Sequence, residues 1–216
     1  MSVASHQVLR SSFLLGLIAL LGTALLAGVN DLTHERIVEQ EKQRVLQQLK
    51  EIVPATSFNN DLLEDRIEVE NGADSRQSAA VTVYRARMDD QAVAVLMMVT
   101  ATDGYNGDIR LLIGIDANGG LLGVRVVSHR ETPGLGDPIE LEKSDWILGF
   151  NQKSLRHPEG TGWAVKKDGG QFDQFTGATI SPRAVVKAVH NTLKYFAENQ
   201  QSLFELPAIT AQQDGA

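Results

Sequence analysis

The sequence predicts an α+β fold, a mainly antiparallel sheet with packed helices, plus one N-terminal transmembrane helix. Three observations point to it. Four apolar runs between Val81 and Ser128 are separated by short turns, the pattern of an antiparallel meander. An amphipathic stretch starting at Ser181 follows them, so strands and helices are segregated along the chain. Near the start, Phe13 to Val29 reads FLLGLIALLGTALLAGV and holds no charge.

With Ser11, Ser12 and Asn30 this first run reaches about 20 residues, the length that spans a bilayer as a helix. Gly16, Gly22 and Gly28 are tolerated there because water does not compete for helical hydrogen bonds. A cleaved signal peptide is the competing reading. It calls for a shorter apolar core, and the candidate cleavage site near Ala24 and Ala27 has the wrong spacing. Orientation is less sharply marked. Arg10 precedes the run, whereas Arg36, Lys42 and Arg44 follow it, so a Lys/Arg count alone does not favour an inside N-terminus. A short tail is nonetheless easily retained, and long following domains translocate largely regardless of charge. The expected layout is a short cytoplasmic tail over 1–12, an anchor over 13–30, a linker helix over 31–54, a domain over 55–206 and a frayed tail over 207–216.

Val38, Val45, Leu49 and Ile52 recur at helical steps in the linker, and Pro54 stops it. This helix either leans on the domain or stands as a solvated stalk. Phe58 to Ser78 is polar, a loop with short strands. Val81 to Met88 and Ala92 to Thr100 read as strands around a turn at Asp89-Asp90. Tyr105 to Asp108 is another turn. Ile109 to Asp116 and Leu121 to Ser128 form a hairpin around Asn118-Gly119-Gly120. The string HRETPGLGD, His129 to Asp137, breaks regular structure. Asp137 is expected to cap a short helical region that begins with Pro138 and runs to about Phe150. Trp163 to Lys167 reads as a strand ended by Asp168-Gly169-Gly170. Ser181 is expected to cap the last helix, with Pro182 at its first position and Val185, Val186, Val189, Leu193 and Phe196 as its apolar stripe.

Composition narrows the function. Of 216 residues, 43% are hydrophobic and 22% charged, which suits a globular domain with a core and additional segments. The net charge of -7 and the lack of a basic run interleaved with aromatics argue against nucleic-acid binding. The absence of cysteine excludes disulfides, cysteine-ligated clusters or zinc, and a cysteine nucleophile. His6, His34, His129, His157 and His190 show no i,i+4 pair and no HExxH, so no metal site is expected. Trp146 and Trp163 read as core residues, His129 as a loop or packing residue.

The string DQFTGATIS, Asp173 to Ser181, is the most informative one. A hydroxyl on a small-residue turn ahead of a helix N-terminus can hold a phosphate, and Gly177 and Ala178 allow close approach to the backbone. Read alone, TGATIS could equally be a turn and a cap.

The longer string resembles the flavinylation sequence of the FMN-binding domain family. That domain occurs in the G subunit of the Rnf electron-transport complex and in the C subunit of the sodium-pumping NADH:quinone oxidoreductase. HRETPGLGD resembles the family's second string, and GYNGDI, Gly104 to Ile109, the start of the same domain. The likeness covers about 101–196. It implies that FMN is joined through its phosphate to Thr179 by a flavin transferase that uses FAD and magnesium. It also implies that Thr176, Gly177, Ala178 and Ser181 surround the link and that Asp173 is read by the transferase. Glu131, Thr132, Leu135 and Gly136 would line the isoalloxazine, although Glu131 could instead pair with Arg130 or another base.

The compact length and the TGATIS variant favour the Rnf type, so the implied protein is a single-pass component of the bacterial inner membrane with its flavin domain in the periplasm. Such a component relays electrons between membrane partners of a redox-driven ion translocase acting between ferredoxin and NAD. It has no catalytic acid–base pair and no substrate site of its own. Two other classes stay open beside it. One is a membrane-tethered FMN-binding sensor or scaffold without electron transfer; the weaker one is a hydrolase using Thr179 as nucleophile, which lacks a motif-placed base.

Overall fold

The computed structural model describes residues 45–69 and 80–209, together with residues 13, 15–17, 19, 20, 22, 23 and 43. Five strands form one antiparallel sheet in chain order: β1 (Arg66–Val69), β2 (Val81–Met88), β3 (Gln91–Ala101), β4 (Ile109–Asp116) and β5 (Leu121–Ser128). One long helix, Ile180–Glu205, follows, and the connection between sheet and helix is built from loops and 3-10 turns. The α+β expectation therefore holds. Most of the expected anchor over 13–30, and most of the first part of the expected linker helix over 31–54, up to residue 44, lie outside the described residues. Among the described residues no helix is long and apolar enough to cross a membrane.

Turn chemistry sets the meander. Met88 pairs with Gln91, and between them Asp89 and Asp90 both take positive φ, 50° and 64°. That is the two-residue turn whose twist matches the flanking strands. In the β4–β5 hairpin the Asp116 carboxylate accepts from the amides of Asn118 (2.7 Å) and Gly120 (3.0 Å), an Asx turn that fixes the loop.

Alternation along the strands gives the sheet two buried faces. Val95, Met97 and Val99 of β3 and Leu111, Ile113 and Ile115 of β4 pack with Val185, Val186, Val189, Leu193 and Phe196 of the long helix. The expected stripe is thus the buried one, set over β3 and β4. The opposite face, with Leu96, Leu112 and Gly114, is covered by helical residues 46–52. Leu49 and Val53 are fully buried there, and a Cβ on Gly114 would lie 2.3 Å from the Ile52 Cγ2. Of the two linker readings, residues 46–53 follow the one that leans on the domain.

The far end of the long helix is fastened by two arginines. Arg85, nearly fully buried, and Arg87 both engage the Asp65 carboxylate, with Arg85 Nε and Arg87 Nε at 2.7 and 2.8 Å. Arg85 Nη1 also donates to carbonyls at the helix end, those of Leu203, Phe204 and the C-cap Leu206, and Arg87 Nη2 donates to that of Phe204 at 2.6 Å. Cations belong at this end, where carbonyls lack helical partners.

Four local expectations are corrected. Trp163 to Lys167 is not a strand. Only Val165 bridges, to Phe172, while the flanking residues form 3-10 turns Gly160–Gly162 and Lys166–Asp168. The apolar alternation of Trp163 and Val165 reflects burial on the core rather than pairing. The long helix begins two residues earlier than expected: Thr179 is its N-cap, without a side-chain capping bond, and Ser181 and Pro182 lie within the first turn. Proline is tolerated there because the first-turn amides have no helical partner. Asp137 caps nothing. It sits inside the 3-10 turn Asp137–Ile139 and accepts from the Gly134 amide at 2.6 Å, while Ser144 caps Asp145–Phe150. The tail is tied down as far as Ile209, whose amide donates to the Arg66 carbonyl at 2.9 Å; residues 210–216 lie outside the described residues.

His190, inside the long helix, stacks on Trp163 with ring centroids 5.2 Å apart. Burial, and secondarily Lys194, pushes its imidazole below the ordinary value. The fold therefore favours the neutral form, and the unfolded chain takes up the proton first as pH falls below about 6.5. The stability tied to His190 is full above about pH 6.5 and is lost as pH falls through the lowered folded value. His190→Gln is expected to flatten this part of the Tm–pH profile as pH falls below about 6.5. A mutant profile parallel to that of the wild type would contradict the assignment.

Candidate functional site

Three segments far apart in sequence meet at the start of the long helix. They are the loop after β3 (Gly104 to Gly107), the loop after β5 (Glu131 to Gly136) and the turn Phe175 to Ala178 that leads into Thr179. Between them lies a cleft of about 150 Å³ lined by Tyr105, Glu131, Thr132, Leu135, Gly136, Gly177, Ala178, Thr179, Ile180 and Ser181. Hollows of about 300, 330 and 470 Å³ exist elsewhere. Size does not single out this cleft; its chemistry does.

Two turns of the same kind form its walls. In Thr132-Pro133-Gly134-Leu135 the Leu135 amide donates to the Thr132 carbonyl at 3.1 Å, and Gly134 takes φ 75°. In Phe175-Thr176-Gly177-Ala178 the Ala178 amide donates to the Phe175 carbonyl at 3.2 Å, and Gly177 takes φ 81°. A positive φ at the third residue is what glycine supplies without strain. The second turn is held from below by Trp146, whose ring meets Phe175 edge-on at 5.3 Å and whose Nε1 donates to the Asp173 carbonyl at 2.8 Å. Trp146, expected as a core residue, thus also fastens the turn.

Glu131 joins the three segments. It is 4% exposed. Its carboxylate accepts from the Asn106 amide at 3.0 Å, the Tyr105 amide at 3.3 Å and the Ser181 hydroxyl. Its partners among the described residues are thus two loop amides and a helix hydroxyl, with no ion pair to Arg130, and it remains in the cleft lining. Asn106 adds a side-chain bond to the Thr132 Oγ1 at 2.9 Å. The space is tight, since a Cβ on Gly136 would fall 2.8 Å from Ser181 Oγ and 2.9 Å from Glu131 Cβ. His129 supports Glu131 from behind. Its Nδ1 accepts from the Glu131 amide at 2.9 Å, which leaves the Nε2 proton to the Glu140 carboxylate at 2.6 Å.

Thr179 stands at the open side of this frame, half-buried and free of a capping bond. As N-cap it lies next to the amides of Ile180 and Ser181, which helix geometry leaves without carbonyl partners and which favour an anion. The rim is apolar. Tyr105 is 66% exposed, Leu135 46% and Ile180 41%.

The expected residues Glu131, Thr132, Leu135, Gly136, Gly177, Ala178, Thr179 and Ser181 are therefore brought together. Thr176 is exposed on its turn and outside the lining. Asp173 lies away from the cleft, exposed and paired with Lys166 at 2.6 Å, beside Trp146 and Phe172. Tyr105 and Ile180 were not foreseen. Their only sequence signal is a large apolar side chain next to a glycine turn or a helix start.

Comparison with known proteins bears on this arrangement. Residues 104–194 match the FMN-binding domain, and residues 1–52 match the RnfG N-terminal region. The chain is 48% identical over 203 residues to the G subunit of the ion-translocating oxidoreductase complex of Shewanella loihica, covering 94% of this chain and 96% of that one. The chain belongs to this family of G subunits of ion-translocating oxidoreductase complexes. The Pseudomonas aeruginosa relative of the same name is 50% identical over 198 residues, 92% of each chain, and that of Shewanella oneidensis is 42% identical over 203 residues. The N-terminal match favours this family over the C subunit of the quinone oxidoreductase. The segment matched to the FMN-binding domain contains every residue that lines the cleft, from Tyr105 to Ser181.

Proposed function

We propose that this chain is the flavin-carrying G subunit of an Rnf-type electron-transport complex and holds one FMN as a phosphoester on Thr179. The single observation that supports this most is Thr179 itself. Its hydroxyl makes no capping bond, and it sits at a helix N-terminus in a cleft with an apolar rim. The residues fit the cofactor. The Ile180 and Ser181 amides and the helix end favour the remaining phosphate charge. Leu135 and the two glycine turns offer an apolar, closely approachable wall for a flat ring. Thr132 Oγ1, already accepting from Asn106, can still donate to a polar ring edge.

The bound flavin supplies the redox chemistry, passing electrons between partner subunits. The chain's residues position it. Glu131 fixes the two loops against the helix, the turns set the cleft width, and the rim excludes water from one side. The run 13–30 serves as a single-pass anchor in the inner membrane, with 55–206 on the periplasmic side, where a covalent link prevents cofactor loss. Asp173, exposed and away from the cleft, is where the maturing transferase would read the chain.

The test is an intact mass of the full-length protein, co-expressed with a flavin transferase and exported. The expected result is one added FMN less one water, with flavin fluorescence retained in a denaturing gel. A bare polypeptide mass with active transferase present would overturn the proposal. A loaded protein whose flavin exchanges no electrons with the assembled complex would return the scaffold reading.

A further inference from the structure

The exposed apolar residues are not scattered. Beyond the N-terminal segment, the large hydrophobic side chains that stay exposed among the described residues are Tyr105, Leu135, Ile180 and Leu206. Three of these four line the same cleft. A monomeric surface rarely gathers apolar side chains around one polar group unless something covers them. Tyr105 differs from the other two. It is the one aromatic residue in the lining, and at 66% it is the most exposed.

Its exposure does not come from a loose loop. The Tyr105 amide donates to Glu131 Oε2 at 3.3 Å, and the next amide, of Asn106, donates to Oε1 at 3.0 Å. The Asn106 side chain reaches Thr132 at 2.9 Å. Gly104 leaves no room for adjustment, since a Cβ there would lie 2.1 Å from the Gly107 carbonyl oxygen. Two backbone amides and one side chain of the loop are held by hydrogen bonds while the ring is left uncovered. The other aromatics nearby are engaged elsewhere: Trp146 with Phe175 and Phe150, and Trp163 with His190 and Phe172.

We infer that Tyr105 is the aromatic partner of the cofactor: its ring stacks on the isoalloxazine of the flavin carried by Thr179, opposite the apolar wall of Leu135. This rests on the covalent-FMN reading above. Offset stacking of two flat π-systems gives the contact area and orientation that an aliphatic side chain cannot. Tyr105 is a positioning residue, and it moves neither a proton nor a net electron.

Flavin emission reads the contact directly. A phenol or indole in van der Waals contact donates one electron to the photo-excited flavin and takes it back, so light is lost without net chemistry. Phenylalanine and leucine do not. Emission of the native full-length protein is compared with that of the same sample after unfolding, so each protein is its own reference per bound flavin. Wild type and Tyr105→Trp are expected to be dim when native and to brighten several-fold on unfolding. Tyr105→Phe and Tyr105→Leu are expected to be bright in both states. The fold is spared, because Glu131 holds the backbone of residue 105 and not its side chain. If Tyr105→Leu is as dim as the wild type, stacking is overturned while covalent attachment stands. If the wild type has a bare mass, both fall together.

Discussion

Thr179→Val is expected to abolish covalent flavin completely and leave the fold in place. Valine keeps the shape of threonine and removes the hydroxyl that would carry the phosphate ester. Loss of an N-cap hydroxyl ordinarily costs about 1 kcal/mol. Here the Thr179 side chain makes no capping bond and is only half-buried. The expected change in stability is therefore within about 0.5 kcal/mol, as for a surface substitution. The two readouts separate: intact mass returns to that of the bare polypeptide, while Tm stays with that of the unloaded wild type. If flavin is still attached to Thr179→Val, the linkage lies elsewhere. If Tm collapses, the loss of flavin says nothing about chemistry.

Glu131→Leu has the opposite signature, a large loss of stability. Leucine fills the volume but accepts no hydrogen bond. The Ser181 hydroxyl is buried and would lose its acceptor, and the Tyr105 and Asn106 amides would lose theirs in a partly buried loop. A buried donor left without an acceptor costs about 1–3 kcal/mol. Water can reach part of the loop, so the total is about 3 kcal/mol rather than the full sum. For a chain of this size that corresponds to a Tm lower by roughly 6–12 °C. Glu131→Gln keeps one acceptor oxygen and should lose about half as much. Flavin loading should fall with Glu131→Leu even below its Tm, because the two loops no longer meet the helix start. Thermal unfolding with mass determination checks both. An unchanged Tm for Glu131→Leu would mean that the carboxylate does not join these segments.

Much of the fold was legible. β2 to β5 follow their expected ranges closely, because each is a short apolar run rich in Val, Ile and Leu and the turns between them contain Asp-Asp or Gly residues that permit positive φ. The stripe from Val185 to Phe196 was legible for the same reason: its period is a property of one segment. The structure departs from the expectation where burial and pairing leave the same trace. Trp163 and Val165 alternate like a strand, yet no neighbouring strand is there to pair with them. The helix start was misplaced because Pro182 fits any first-turn position, so the proline alone could not decide between Ser181 and Thr179 as cap.

The site was legible in kind but not in wiring. The small residues of TGATIS mark a turn at a helix start, and that is local information. The role of Glu131 is not local, since it depends on residues 25 positions before it and 50 positions after it. No periodicity or spacing encodes such a contact. Tyr105 was hidden for a related reason. In the sequence it is one aromatic in a glycine turn; only the folded arrangement shows that its ring remains uncovered beside Thr179.

Thr179, and not a neighbouring hydroxyl, is expected to carry the flavin. Thr176 and Ser181 lie within three residues and are chemically similar. Thr176 is exposed outside the cleft, and the Ser181 hydroxyl is committed to Glu131. The most direct measurement is tandem mass spectrometry of the tryptic peptide from Asp168 to Arg183, taken from the flavin-loaded full-length protein. Fragment ions that place the whole FMN increment on Thr179 are the predicted result. An increment on Thr176 or Ser181, or an unmodified peptide from protein matured with active transferase, would contradict it.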